Sequence, residues 1–197
     1  MRGLLIAFEG LDQSGKQTQA RRLGADLEAA GRRVHLLEFP DYTTAIAREI
    51  ERALQGERDY TPDVLQLLFI ANRYEHRGRI RQWLESGAVV LCDRYLASSI
   101  AYGEAQGLDP EWLADVQRFL PQPDLTILLD IAPETAVRRK VTGRDRLEHD
   151  IGLQARARAS YLRQAARPSW CRVDGERDAD AVAAEVATAV RAVLELP

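Results

Sequence analysis

The stretch from Leu4 to Gly31 constrains this chain more than any other. An apolar run, Leu4–Phe8, leads through Glu9 into Gly10-Leu11-Asp12-Gln13-Ser14-Gly15-Lys16, and apolar residues then recur at helical spacing until Gly31, a good helix stop. A strand that passes through a Gly-x4-Gly-Lys loop into a helix is the geometry of a phosphate cradle. Gly10 and Gly15 permit backbone angles and close approach that a side chain would block. Successive N–H groups and the helix N-terminus face the anion, and Lys16 adds a full charge. Gly10, Leu11, Asp12, Gln13, Ser14, Gly15, Lys16, Gln17 and Thr18 are therefore expected around nucleotide phosphates. One departure is plain: Gln17 stands where Ser or Thr normally offers a hydroxyl to Mg²⁺, and the hydroxyl comes one residue later at Thr18.

The rest of the chain alternates strand-sized apolar runs with amphipathic stretches. Strands are expected at Leu4–Phe8, Val34–Phe39, Val89–Asp93, Leu125–Asp130 and Cys171–Asp174, and helices at Lys16–Ala30, from Pro62 to about Glu85, and at Leu96–Ala105, Pro110–Phe119, Pro133–Val141, Gly152–Ala165 and Ala179–Leu194. That order predicts an α/β fold: a five-stranded parallel sheet with helices on both faces, in one domain spanning 1–197. The polar, charge-dense stretch at about 140–150 reads as a mobile loop or as a plain solvated connection between two helices.

Composition excludes several classes. A net charge of −3 argues against a nucleic-acid coat, which needs a basic surplus. Cys92 and Cys171 have no CxxC spacing and the histidines His35, His76 and His149 are scattered, so neither a disulfide framework nor a zinc cluster is expected, and the compartment expected is the reducing cytoplasm. No apolar run reaches membrane-span length and no signal-peptide layout is visible, so no membrane partner is expected.

A phosphate loop alone serves switches, motors and kinases. Asn72 is the only asparagine, so an Asn-Lys-x-Asp guanine reader is excluded. Instead Asp93-Arg94-Tyr95 ends a buried strand at the edge where open α/β sheets bind ligands. A carboxylate there holds Mg²⁺ directly or through water, and the adjacent Arg94 clamps a second phosphate; the alternative is a strand-terminal ion pair.

Several motifs now add up. Phe8-Glu9-Gly10-Leu11-Asp12, Phe39-Pro40-Asp41, Leu68-Phe69-Ile70-Ala71-Asn72-Arg73, Asp93-Arg94-Tyr95 with Ser98-Ser99-x-x-Tyr102, Pro121-x-Pro123-Asp124-Leu125 and Asp145-Arg146-Leu147-Glu148 occur in one order. In these motifs, across essentially its whole length, the chain resembles the thymidylate kinases. The resemblance implies the P-loop nucleoside-monophosphate kinase fold with a short lid, transfer of the γ-phosphate of ATP to dTMP to give dTDP, Mg²⁺ as cofactor and a homodimer. It further implies that Arg73 and Arg94 grip the dTMP phosphate, that thymine stacks on Phe69 near Phe39, that Ser98 and Ser99 read the base edge, that Tyr102 crowds the sugar 2′ carbon, and that Asp12 serves near the 3′-hydroxyl. Without the motifs, Phe69 reads equally as helix core and Arg73 as part of a solvated arginine face with Arg77 and Arg81.

Gln13 stands where one branch of the family carries a catalytic arginine, so positive charge is expected from the lid, from Arg139, Lys140, Arg144 or Arg146, with Arg144 foremost. Tyr42 likewise replaces an arginine of some members, which Arg48 on the following helix would have to supply. The catalytic set expected is thus Lys16, Arg94, Asp12, Asp93 and Arg144, with Asp93 reaching Mg²⁺ through water. Rival readings are a kinase of another nucleoside monophosphate or of a deoxynucleoside, and a nucleotide-dependent switch.

Overall fold

The computed structural model describes residues 3–139, 147 and 150–194. Its strands are β1 (Leu4–Glu9), β2 (Val34–Glu38), β3 (Val89–Asp93), β4 (Leu125–Asp130) and β5 (Trp170–Asp174), paired parallel throughout in the order β2-β3-β1-β4-β5. Every residue of β1, β3 and β4 is buried, whereas the edge strands β2 and β5 are only partly so. This matches their sequences: strands covered on both faces read as continuous apolar runs. Side chains such as Ile6 and Phe8, wholly buried, each contribute about 1.5–3 kcal/mol and anchor the loop that follows.

The helices are α1 (Lys16–Ala29), α2 (Ala45–Leu54), α3 (Pro62–Glu85), α4 (Leu96–Ala105), α5 (Pro110–Asp115), α6 (Pro133–Arg139), α7 (Ile151–Gln164) and α8 (Ala179–Leu194). One sheet face packs Leu4, Ile6 and Phe8 against Ala20, Leu23 and Leu27 of α1 and Val182, Val186 and Val190 of α8. On the other, Leu5, Ala7, Val90 and Cys92 meet Ile80 of α3, Tyr95 and Leu96. A further cluster, Ala97, Ala101 and Tyr102 with Leu153, Ala157 and Tyr161, joins α4 to α7. Chain connections leave β1 toward β2 and β3 on one side and toward β4 and β5 on the other, so the crevice at the carboxyl end of β1 is the place for a ligand.

The strand expectations hold to within a residue at each end. The helix following Tyr42 is α2, on which Arg48 lies. Helix α5 stops at Asp115, short of Phe119, because the Gln117 amide turns back to donate to the Leu113 and Leu96 carbonyls and Pro121 follows. Of the expected lid, Leu147 and Asp150 are described; Lys140, Arg144 and Arg146 lie outside the described residues.

Candidate active site

The phosphate loop is built by necessity from its glycines. Gly10 has φ 138°, and a Cβ there would sit 2.4 Å from the Leu129 carbonyl oxygen. Gly15, at φ 95°, forms the left-handed N-cap of α1. The first turn of α1 carries no acidic side chain, so nothing competes with an anion at that helix end. Lys16 is buried, and its Nζ donates to the Leu11 carbonyl at 2.8 Å. Burial, with repulsion from Arg94, pushes the Lys16 ammonium down to about 8 despite attraction from Asp93, Asp12 and Glu9. The Ser14 hydroxyl is buried in the same loop without a partner among the described residues.

Arg94 joins this loop to a cleft. Its guanidinium donates to Asp12 Oδ1 at 2.6 Å, to Ser98 Oγ at 3.0 Å and to the Tyr161 hydroxyl at 3.3 Å. The residue is held at φ 63°, and its N–H donates to the Phe8 carbonyl. A non-glycine residue in that region costs about 1–2 kcal/mol, which the fold sustains where it aims a side chain. Although burial opposes ionisation of Asp12, Arg94 and Lys16 hold its carboxyl down to about 2; the Tyr102 hydroxyl adds a hydrogen bond at 3.1 Å. Arg94, buried yet beside Asp12, is raised well above the usual guanidinium value.

The cleft has a volume of about 320 Å³, of the size that takes one small ligand. Asp12, Phe39, Phe69, Arg73, Arg94, Ser98, Ser99 and Tyr102 all line it, joined by Glu38, Tyr42, Gln66 and Leu147. Phe69 is therefore half-buried at the cleft wall rather than in the core, which Leu65 and Ile70 occupy instead. Arg73, one helical turn on, is 2% exposed. Among the described residues its hydrogen bonds go to neutral groups, Ser99 Oγ at 2.7 Å and Gln117 Oε1 at 3.4 Å, and its Nε has none. Burial brings the Arg73 guanidinium down to about 10, against the pull of Glu9. The two arginines thus have separate surroundings: Arg94 belongs to the loop, Arg73 to the floor between α3, α4 and Gln117.

Ser98 and Ser99 are engaged in holding these arginines. Asp93 is 7% exposed, and its Oδ1 has no partner among the described residues. Burial pushes its carboxyl up, partly offset by Lys16 and Arg94. Gln17 turns its amide to donate to Glu38 Oε2 at 2.9 Å, and Thr18 is exposed. Arg139 donates to the Gln13 and Gly175 carbonyls, tying the end of α6 to the phosphate loop. Arg48 is exposed on α2, donates to the Thr43 carbonyl and is not among the residues that line the cleft. His76 lies 3.2 Å from Asp41, behind Phe39, and is not at the cleft surface.

Sequence reasoning missed Glu9 as more than a motif letter. Its wholly buried carboxylate accepts from the Tyr95 N–H at 2.9 Å, the Ser98 N–H at 3.3 Å and the Ser98 hydroxyl at 2.6 Å. Helix α4 has no side-chain cap of its own, so Glu9 caps it from the neighbouring strand and fixes Ser98 beneath Arg94. Tyr161, bonded to Ser98 at 2.8 Å, and Gln154, bonded to Tyr102 at 3.4 Å, complete the support. An acid closing an otherwise apolar strand was the available signal for Glu9; Tyr161 and Gln154 had none.

Comparison with known proteins bears on this geometry. A family model described as thymidylate kinase matches residues 8–186. Thymidylate kinases of Caenorhabditis elegans and of human are 38% and 34% identical, covering 92% and 100% of this chain and 87% and 95% of theirs. A probable thymidylate kinase of Pyrococcus abyssi is 40% identical, with 84% of each chain covered. Among solved structures, the thymidylate kinase of Candida albicans, described as having broad substrate specificity, superposes with a TM-score of 0.83 at 31% identity over 97% of this chain and 92% of its own.

Proposed function

Because the chain belongs to the thymidylate kinase family, and so is an ATP-dependent kinase that phosphorylates dTMP, we propose that the Arg94-centred cleft is its acceptor site and the Gly10–Thr18 loop its donor site. The observation that carries this is Arg94 itself, one guanidinium bonded to the loop aspartate and lining the cleft at once.

The donor β and γ phosphates lie on Lys16 and the loop amides, and Arg94 draws in the acceptor phosphate bidentately. Arg73 faces the other part of the ligand. Phe69 and Arg73, four residues apart on one helix face, put a base stacked on the ring near a guanidinium that donates to neutral groups alone among the described residues. The resemblance gives both arginines the acceptor phosphate; their separate surroundings favour Arg94 for that phosphate and Arg73 for the base end of the ligand. Tyr102, tied to Asp12 and Gln154, fills the space beside the sugar and disfavours a 2′-hydroxyl.

Phosphoryl transfer needs alignment and charge stabilisation more than proton transfer, in keeping with a cleft wall that holds no histidine among its lining residues. The fit of Mg²⁺ to this site rests on the unpartnered buried Oδ1 of Asp93, an acceptor oxygen suited to a bound water of a hard cation. A bound Mg²⁺ would neutralise phosphate charge, and Asp93 would be the residue that holds it, through a water. The lid cations, Arg144 first, supply the positive charge that Gln13 lacks; Arg139 donates to the Gln13 carbonyl, and Lys140, Arg144 and Arg146 lie outside the described residues. A homodimer and a cytoplasmic location are proposed from the family; among the described residues no helix is long and apolar enough to cross a membrane.

The test is an ADP-release assay with ATP, Mg²⁺ and a panel of acceptors. The order expected is dTMP, then dUMP, with thymidine and AMP barely used. Turnover of thymidine at or above that of dTMP would sink the placement of Arg94 on an acceptor phosphate.

A further inference from the structure

The missing hydroxyl at Gln17 has a counterpart on β2. Gln17 Nε2 donates to Glu38 Oε2 at 2.9 Å, bridging the first turn of α1 to the end of that strand. Glu38 is the parallel register partner of Asp93, and residues so paired present their side chains on one face of a sheet. That face is the α1 side: Leu36 and Leu91, two residues earlier on each strand, both lie within 3.6 Å of where a Cβ on Gly24 of α1 would sit. Two carboxylates therefore stand side by side at the start of α1, next to Lys16. Asp93, 93% buried, has an Oδ1 without a partner, and Glu38 Oε1 accepts nothing from the described residues.

Lys16 and Arg94 stand near Asp93, whereas Glu38 is exposed and accepts from the Gln17 amide. Glu38 stands beside Asp93 and is tied to Gln17 in the first turn of α1, so a polyphosphate on the loop meets a second like charge there. A hard divalent ion between carboxylate and phosphate oxygens turns that repulsion into attraction, and it takes oxygen donors of this type. We propose that Glu38, with Asp93, forms a carboxylate seat for the divalent ion that accompanies the donor nucleotide, and that Gln17 is the positioning residue that holds Glu38 there in place of the usual hydroxyl ligand. The proposal rests on the donor-site reading above, and it assigns Glu38 a role that neither the loop motif nor Asp93 alone supplies.

The test uses the whole protein, a non-hydrolysable ATP analogue and Mn²⁺, with free Mn²⁺ read by electron paramagnetic resonance and analogue binding read by calorimetry with and without metal. Glu38→Gln should weaken Mn²⁺ binding in the ternary complex by about tenfold, the scale of losing a residue that orients a metal's shell. Gln17→Ala should weaken it less. Analogue binding without metal should not fall in either variant, and the unfolding midpoints of the ligand-free proteins should stay with the parent. Gln17→Ser, which restores a hydroxyl, should make a second substitution at Glu38 nearly silent. Unaltered Mn²⁺ affinity in Glu38→Gln overturns the seat while leaving the donor site intact. Equal losses of analogue binding with and without metal also overturn it, because Glu38 would then act on the nucleotide or the fold. A parent protein that binds no analogue at all overturns the donor reading and the seat with it.

Discussion

Asp93 and Asp130 close the two strands that flank β1, and both sit at the carboxyl edge of the sheet, 7% and 6% exposed. Their surroundings are opposite. Asp130 receives four hydrogen bonds from two guanidinium groups, Arg158 at 2.7 and 3.1 Å and Arg172 at 3.0 and 2.7 Å. Burial works against its ionisation, but those bonds bring its carboxyl below the ordinary value. Asp93 keeps an oxygen with no partner among the described residues, and burial carries its carboxyl above the ordinary value. Position in the fold is thus no guide to role. A buried carboxylate whose bonds are all made holds two strands and a helix together; one left unfilled at the same edge is available to a ligand.

The arginines divide the same way, and there the largest effect is expected. Arg94→Ala should lose about 10³-fold in kcat/KM for dTMP, the scale of an arginine that stabilises phosphoryl transfer. Arg172→Ala, which removes one of two partners of a saturated aspartate, should stay within a few fold. Arg94→Lys separates charge from geometry: it keeps a cation near Asp12 and loses the planar fork, so most of the loss should persist. Comparable losses in Arg94→Ala and Arg172→Ala would erase the distinction.

The aspartates themselves sharpen it next. Asp93→Asn keeps shape and removes charge, and the Mg²⁺ concentration for half-maximal activity should rise by about 10–100-fold with little change in thermal midpoint. Asp130→Asn should do the reverse. Its activity should hold at saturating Mg²⁺, while stability falls by about 1–3 kcal/mol, a range kept low because Arg158 and Arg172 are partly exposed and regain water. Denaturant unfolding and Mg²⁺ titration on the same two proteins check both halves.

How much of this was legible beforehand follows from how far apart the partners lie in the chain. The central strands, the phosphate loop and the caps at Gly31 and Thr61-Pro62 announce themselves, because each is a local pattern with a local cause. The cleft residues were legible only through motifs; periodicity alone left Phe69 and Arg73 ambiguous, and burial settles that Phe69 faces the cleft. Contacts such as Glu9 with Tyr95 and Ser98, Arg94 with Tyr161, and Gln17 with Glu38 join residues separated by 86 and 89, 67 and 21 positions. No propensity or spacing encodes those pairings; the sheet order creates them. The missing hydroxyl at Gln17 is legible in the sequence, but that its amide turns to Glu38 is not.

The smallest effect concerns Lys16, and it separates ligand binding from folding by sign. Its folded value of about 8 lies below the unfolded value of 10.5, so between these limits the unfolded chain holds the proton more tightly. Stability contributed by this group therefore rises as pH increases from about 8 to about 10.5, because the buried ammonium is relieved of its charge. Phosphate binding responds the other way. Donor phosphates favour the charged form and raise its value in the complex, so binding above pH 8 takes up a proton and weakens as pH increases. With a free value near 8, affinity for a non-hydrolysable ATP analogue should fall about tenfold from pH 7 to pH 9. Calorimetry in buffers of different ionisation heat should show proton uptake that approaches one per site at pH 9 and vanishes near pH 6. Lys16→Met should bind weakly at every pH and lose the slope. An analogue affinity in the parent protein that is flat from pH 7 to pH 9 would mean that Lys16 keeps an ordinary ammonium, and that Asp93, Asp12 and Glu9 offset its burial more fully than the packing implies.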